Sequence, residues 1–137
     1  MNCILQKLDD FDFDEIIKTI EKNDDCKLEI LEKARRSLWF QSKDQETELR
    51  LLLMPGMRLT VSRVKFRNRR KGTMTFISQK LKSYCVEKDI PELVVQSVLT
   101  KEMANFCTKN GFKPVIESGI NIGEFFSGDY VKKIFES

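Results

Sequence analysis

Seven residues near the middle of the chain, RNRRKGT from Arg67 to Thr73, follow a strand-like stretch and open a helix-like one. That order is a physical basis for anion binding. The first turn of a helix leaves backbone N–H groups without partners, the helix dipole adds positive potential, and Gly72 lets a phosphate approach the backbone closely. The segment is neither a GxxxxGK[ST] loop nor a GxGxxG loop. Its surroundings are strongly basic: residues 51–90 hold 10 Lys/Arg against 2 Asp/Glu, whereas residues 1–50 hold 9 against 13 and residues 91–137 hold 5 against 6. Such a patch suits a nucleic acid, an acidic protein or a phosphorylated small molecule, and charge alone does not choose among them.

The 137-residue chain contains no histidine, which removes histidine-based nucleophilic triads, histidine-ligated metal sites and the usual general base at neutral pH. Proton transfer must use carboxylates, Tyr, Cys, Lys, substrate or water. Cys3, Cys26, Cys85 and Cys107 form no CxxC pair, so they read as buried free thiols and not as a zinc ribbon or redox dithiol. No metal site is expected. With 41% hydrophobic and 33% charged residues, and no apolar run near the roughly 18 residues of a membrane span, the sequence predicts one soluble domain over residues 1–137. MNCILQKLDDFDFDE lacks the regions of a signal peptide, and a cytoplasmic location is expected.

The elements that must position the basic loop can be read from periodicity. Cys3 to Leu8 predicts an opening strand, and Asp12 with Glu15 predicts a helix start bearing Ile16, Ile17 and Ile20. A second helix is expected after Asp25, from Leu28, Leu31, Ala34 and Leu38, followed by a short strand at Leu38 to Gln41. ELRLLLMPGMRLTVSRVKF predicts a hairpin turning at Pro55-Gly56. In its second strand Leu59 and Val61 alternate on one phase and Val64 and Phe66 on the other, so either a bulge near Ser62 and Arg63 brings all four to one face or the strand is buried on both faces, and the bulge is expected. A helix carrying Met74, Ile77, Leu81 and Cys85 follows, then a buried strand ELVVQSVL. Thr100 is placed to cap a helix stopped by Asn110-Gly111, and Phe112 to Ile116 and Tyr130 to Phe135 predict two closing strands.

Arg69-Arg-Lys-Gly72-Thr-Met74 resembles the R/Q-x-x-G-x-G/A signature of the GCN5-related N-acetyltransferase family. Phe106, Lys109, Gly111 and Phe112 resemble the F-Y-x-K-x-G-F phrase that often closes a later helix of that family. The resemblance covers residues 57–116. It implies a mixed α/β fold, with a mainly antiparallel sheet and flanking helices in the order β-α-α-β-β-β-α-β-α-β-β, and acetyl-CoA-dependent transfer to an amine by direct attack on the thioester.

On that resemblance, backbone groups at Val64 and Phe66 would hold the pantetheine arm, and the amides around Arg70, Lys71, Gly72, Thr73 and Met74 would hold the pyrophosphate. Arg67, Arg69, Arg70 and Lys71 would supply counter-charge, and freed N–H groups at the bulge would polarise the thioester carbonyl. The chain departs from the family pattern at Met74, where Gly or Ala is usual, at Thr100, where Asn is common, and at Cys107, where a Tyr often protonates the departing thiolate. Cys107 is thus either a substitute acid or a packed side chain. Glu48 and Glu117 are candidate bases. Two further readings are a GNAT-like protein that binds CoA or a partner without catalysis, and a small basic nucleic-acid-binding module. The acceptor amine is not named by the sequence.

Overall fold

Leu38, Leu51 and Val61 are cross-strand neighbours, each no more than 1% exposed, and they mark the core face of the sheet. Trp39 and Arg50, one step along, point to the opposite face as a period of two requires, and an extra residue on the third strand brings Arg63 into register with them. The computed structural model describes residues 6–69 and 71–135. Among these, eight strands occur: β1 (Leu28–Ala34), β2 (Ser37–Ser42), β3 (Glu48–Met54), β4 (Arg58–Lys65), β5 (Glu92–Val98), β6 (Lys113–Pro114), β7 (Ile120–Ile122) and β8 (Phe125–Lys133). They lie in the order β1-β2-β3-β4-β5-β8-β6, with β7 on β8. Only β4 and β5 pair in parallel; the other pairs are antiparallel. Helices α1 (Asp14–Asp24), α2 (Thr73–Lys88) and α3 (Lys101–Lys109) complete the mixed α/β fold expected from the sequence. No helix of the described residues is long and apolar enough to cross a membrane.

Several local expectations hold for the reasons given. The turn after β3 closes with Met57 N–H donating to Met54 O at 3.0 Å, and Gly56 takes the φ of 69° that a type II turn demands. The β3–β4 register jumps between Arg50↔Arg63 and Leu51↔Val61, which leaves Ser62 as the extra residue of a bulge. Thr100 caps α3 by accepting from Met103 N–H at 3.2 Å.

Three expectations need correction. The helix expected after Asp25 is the β1–β2 hairpin, closed by a two-residue turn at Arg35 and Arg36. Leu28, Leu31 and Ala34 mimic helical spacing because β1 carries a bulge at Leu31, which shifts its phase partway along. Leu31 and Ala34 are exposed, so of the supposed helical stripe only Leu38 is fully buried and Leu28 partly so. The expected opening strand falls partly on residues 1–5, outside the described residues, and Gln6–Leu8 is not strand, although Leu8 is buried and its N–H donates to Arg35 O at 2.7 Å. Consequently a helix precedes the first two described strands, whereas the expected order put helices between them.

The closing segment also differs: Phe112 to Ile116 supplies only the two-residue β6, and the stretch between the two expected strands forms β7 and the start of β8. The missing signal was a glycine pair. A Cβ on Gly119 would lie 1.8 Å from Ser127 O, and one on Gly128 would lie 2.7 Å from the Phe126 ring, so the two segments approach as only glycines allow.

The cysteine expectation divides. Cys85 and Cys107 are buried in the core, but Cys26 is only half-buried, and Cys3 lies outside the described residues.

Asp24, at the end of α1, is fully buried and ties three parts of the chain together. Its Oδ2 accepts from Thr47 Oγ1 at 2.6 Å and from Arg67 N–H at 2.8 Å, and its Oδ1 accepts from Asn68 N–H at 3.1 Å. Asn68 Nδ2 adds a bond to Asn23 O at 2.9 Å. The start of the basic loop is thereby anchored to α1 and to the turn before β3.

Asp24→Ala strands a hydroxyl and two amides, at about 1–3 kcal/mol for each group left dry, and is expected to cost about 2–5 kcal/mol. Thermal melting should show a fall of roughly 10 °C; a fall of under about 2 °C would show that water replaces the carboxylate without cost. Gly119→Ala is expected to lower Tm by several degrees, because the atoms that must give way are backbone and overpacking of this kind costs about 1–3 kcal/mol. An unchanged melt would place β7 away from β8.

Candidate functional site

The parallel pairing of β4 with β5 runs through Arg58↔Glu92, Leu59↔Leu93, Thr60↔Val94 and Val61↔Val95, and stops there. Both strands continue, β4 to Lys65 and β5 to Val98, without pairing to each other. The break begins at the Ser62 bulge on β4. On β5 the register with β8 passes from Val95↔Tyr130 to Val98↔Gly128, which leaves one extra residue on β5 at the same level. Beyond Val61 alternate backbone groups on the facing edges lack a β4–β5 ladder partner, and the gap between those edges is the candidate cleft. Val64 and Phe66 are half-buried and pack against the core, the outcome expected of the bulge, which leaves their backbone on the cleft edge.

The chain leaves β4 into the basic loop and enters α2. Gly72 is the N-cap, with φ 73°, and no side chain caps this end. The first turn contains no acidic residue, so its free amides keep their positive potential. Arg69, Lys71 and Gly72 are exposed, and Arg70 lies outside the described residues. A Cβ built on Gly72 would meet nothing within 4 Å, so the space beside the loop is open and the left-handed φ is what favours glycine. Thr73 is buried; its Oγ1 accepts from Asn23 Nδ2 at 2.8 Å, which fixes the helix start to α1. Met74 is half-buried against the core, so its side chain does not crowd the loop.

Much of the basic surplus of residues 51–90 is neutralised by acidic residues elsewhere. Arg67 pairs with Asp44, Arg63 Nε with Glu48 at 3.1 Å, Lys80 with Glu15 at 2.6 Å and Arg58 with Glu92 at 3.5 Å. Among the described residues no ion pair engages Arg69 or Lys71. Arg69 and Lys71, at the helix start, thus keep their charge free of ion pairs among the described residues, whereas Arg67, expected to join them, is held by a carboxylate.

Across the cleft, Thr100 follows β5 at the start of α3, where its oxygen is engaged as the helix cap. Cys107 sits two turns further on, with 0% exposure, and burial pushes its thiol up to about 12. A thiol at that depth beside Tyr130 has the surroundings of a packed side chain. Glu48, on β3, is 4% exposed, and its carboxylate accepts from Trp39 Nε1 at 2.8 Å and Gln41 Nε2 at 3.2 Å besides its ion pair with Arg63. Those three donors take three of its roughly four acceptor sites. Glu117 is exposed on a short 3-10 turn (Ile116–Ser118). Of the residues singled out from sequence, the loop and strand residues Val64, Phe66, Arg69, Lys71, Gly72, Thr73 and Met74 lie consecutively along one side of the cleft and Thr100 opens the other. Glu48 lies one strand back, opposite Lys65.

Sequence reasoning missed Asp24 and Ser97. Ser97, in the extra turn of β5, has φ 55° and donates its N–H to Asp129 Oδ1 at 2.8 Å. A serine in place of glycine gives no sequence signal for that conformation.

No protein-family model matches the chain, and no curated protein matches it by sequence. Solved structures do. A Lactobacillus plantarum protein provisionally named an N-acetyltransferase superposes with a TM-score of 0.55 at 13% identity, covering 77% of this chain and 74% of that one. A Klebsiella pneumoniae protein provisionally named an acyl-CoA N-acyltransferase gives 0.52 at 14% identity over 92% of each chain. The PaiA N-acetyltransferase of Thermoplasma acidophilum, solved in complex with coenzyme A, gives 0.51 at 17% identity, over 72% of this chain and 61% of that one. With the strand order, the single parallel pair and the cleft at its end, these similarities show that the chain has the GCN5-related N-acetyltransferase fold.

Proposed function

We propose that the protein binds acetyl-CoA in the cleft between β4 and β5 and transfers its acetyl group to an amine. The observation that carries this reading is the termination of β4–β5 pairing at Val61↔Val95, beside a strand that leads directly into a glycine-capped helix start with unpaired basic residues. An extended, partly apolar ligand with an anionic end matches both parts: strand-like hydrogen bonds beyond Ser62, and free amides with Arg69 and Lys71 at α2. The fold supports the same assignment, as does the coenzyme A held by the PaiA relative.

Acetyl-CoA would supply an activated acyl group. The chain's own contribution would be positioning and polarisation: β4 backbone groups would orient the pantetheine, amides at the bulge would polarise the thioester, and the α2 N-terminus would hold the diphosphate. The acceptor is an amine of undefined class.

The depth of Cys107 favours a second reading, in which the fold binds CoA without efficient catalysis. With Cys107 packed in the core, this reading assigns the acid's role to no side chain, and protonation of the departing thiolate would fall to solvent. General acid assistance is worth a factor of about 10² to 10⁴, and turnover is expected to be slow by that margin.

Three measurements test these readings. Calorimetry or native mass spectrometry should detect CoA binding to the wild type, and Gly72→Val should weaken it about tenfold or more, since a β-branched residue cannot keep φ 73° and the loop must move. Undiminished affinity would remove the loop from the site. Cys107→Ala should lower Tm, as loss of a buried group does, while leaving the rate of thiol release from acetyl-CoA unchanged. A slower rate with unchanged CoA affinity would restore Cys107 as the acid. If the basic segment serves CoA, binding to duplex DNA at physiological salt should be weak; tight binding that falls steeply with salt would favour the nucleic-acid reading instead.

A further inference from the structure

The β5 side of the cleft is shaped by a conformation that needs holding. Between Val95 and Val98 the strand takes three steps while β8 takes two, and Ser97 sits at φ 55°, a left-handed geometry that residues other than glycine adopt only at a cost. Gln96 and Ser97 are both exposed, although Leu93, Val94, Val95 and Val98 on the same strand are buried. One side-chain contact opposes the relaxation of this kink. Asp129 Oδ1, on β8, accepts the Ser97 N–H at 2.8 Å.

The remainder of Asp129 is fixed independently of its carboxylate. Its N–H donates to Ser118 Oγ at 2.7 Å, and its carbonyl accepts from Val115 N–H at 2.8 Å. Beyond the kink, Ser127 Oγ donates to Val98 O at 3.0 Å, where ordinary pairing with β8 resumes. The carboxylate is therefore carried on a rigid platform and presents its oxygen to an amide that the extra residue would otherwise leave without a strand partner.

We propose that Asp129 is a positioning residue for the cleft: by accepting the Ser97 amide it holds β5 kinked away from β4, so that the strand edge beyond Val61 stays open to an extended ligand. This rests on the acetyl-CoA reading of the cleft for its functional meaning, while the kink itself is a property of the chain. Were the carboxylate lost, Ser97 would be free to return to extended φ and β5 to close toward the unpaired edge of β4.

The test compares four proteins by calorimetry with CoA and by backbone NMR shifts of Ser97, which report its φ. Asp129→Ala is expected to weaken CoA about tenfold and to move residue 97 toward extended values. Asp129→Asn keeps an acceptor oxygen and should bind CoA nearly as the wild type does. In the Asp129→Ala background, Ser97→Gly should recover most of the lost affinity, because glycine takes the left-handed geometry without help. A merely structural role would give no such recovery. The proposal is overturned if Asp129→Ala binds CoA like the wild type, or if Ser97→Gly fails to restore binding. If the wild type binds no CoA, the cofactor reading and the cleft-holding role fall together. The shifts then still show whether Asp129 holds the kink: movement at residue 97 in Asp129→Ala upholds the contact, and no movement refutes it.

Discussion

One constraint organises the molecule: β4 and β5 are parallel in a sheet that is otherwise antiparallel. Antiparallel neighbours can be joined by a tight turn, but parallel neighbours require a crossover, and here that crossover is α2. A helix returning over the sheet must begin at the C-terminal end of the strand it leaves, so its unsatisfied amides gather at the end of the sheet where β4 finishes. Because the parallel pairing lasts only four residues, the same end is also where the sheet opens. Unsatisfied helix amides and a gap with free strand edges thus arise from one topological fact, and basic residues on the connecting loop add positive charge at the same place.

The two irregularities that open the sheet were unequally legible. The β4 bulge was visible because it shifts a hydrophobic alternation, Leu59 and Val61 against Val64 and Phe66, and periodicity registers a change of phase. The β5 irregularity involves Gln96 and Ser97, both polar, so no apolar pattern is displaced, and its support comes from Asp129, 32 residues away. Gly72 was legible because a glycine among basic residues before a helix has a local reason to be there. Asp24 was not, because nothing near it in the chain distinguishes a carboxylate that will be buried from the exposed ones around it.

The misread β1 shows the opposite failure, in which local pattern exists and misleads. Leu28, Leu31, Ala34 and Leu38 satisfy helical spacing, yet Leu38 alone of the four is fully buried. A bulged edge strand and a turn imitate the helical period over two cycles. What decides the outcome is the neighbour: β2 alternates Leu38 and Phe40 toward the core and offers a paired edge, and tertiary pairing prevails over a short stretch of periodicity.

The Asp24 contacts span 23, 43 and 44 residues, and this reach bears on the order in which the chain organises itself. Helix α1 precedes the described strands in the chain, but its terminal carboxylate lacks these three partners until the turn before β3 and the loop after β4 have been placed. Contacts that close such long loops pay their entropy before they return anything, so they form after the hairpins of the sheet. A hub made late stabilises the native state more than the folding barrier, and its effect falls mainly on how fast the protein unfolds. By that reasoning Asp24 is a latch that closes after the hairpins and governs how long the basic loop stays in place once the sheet has formed.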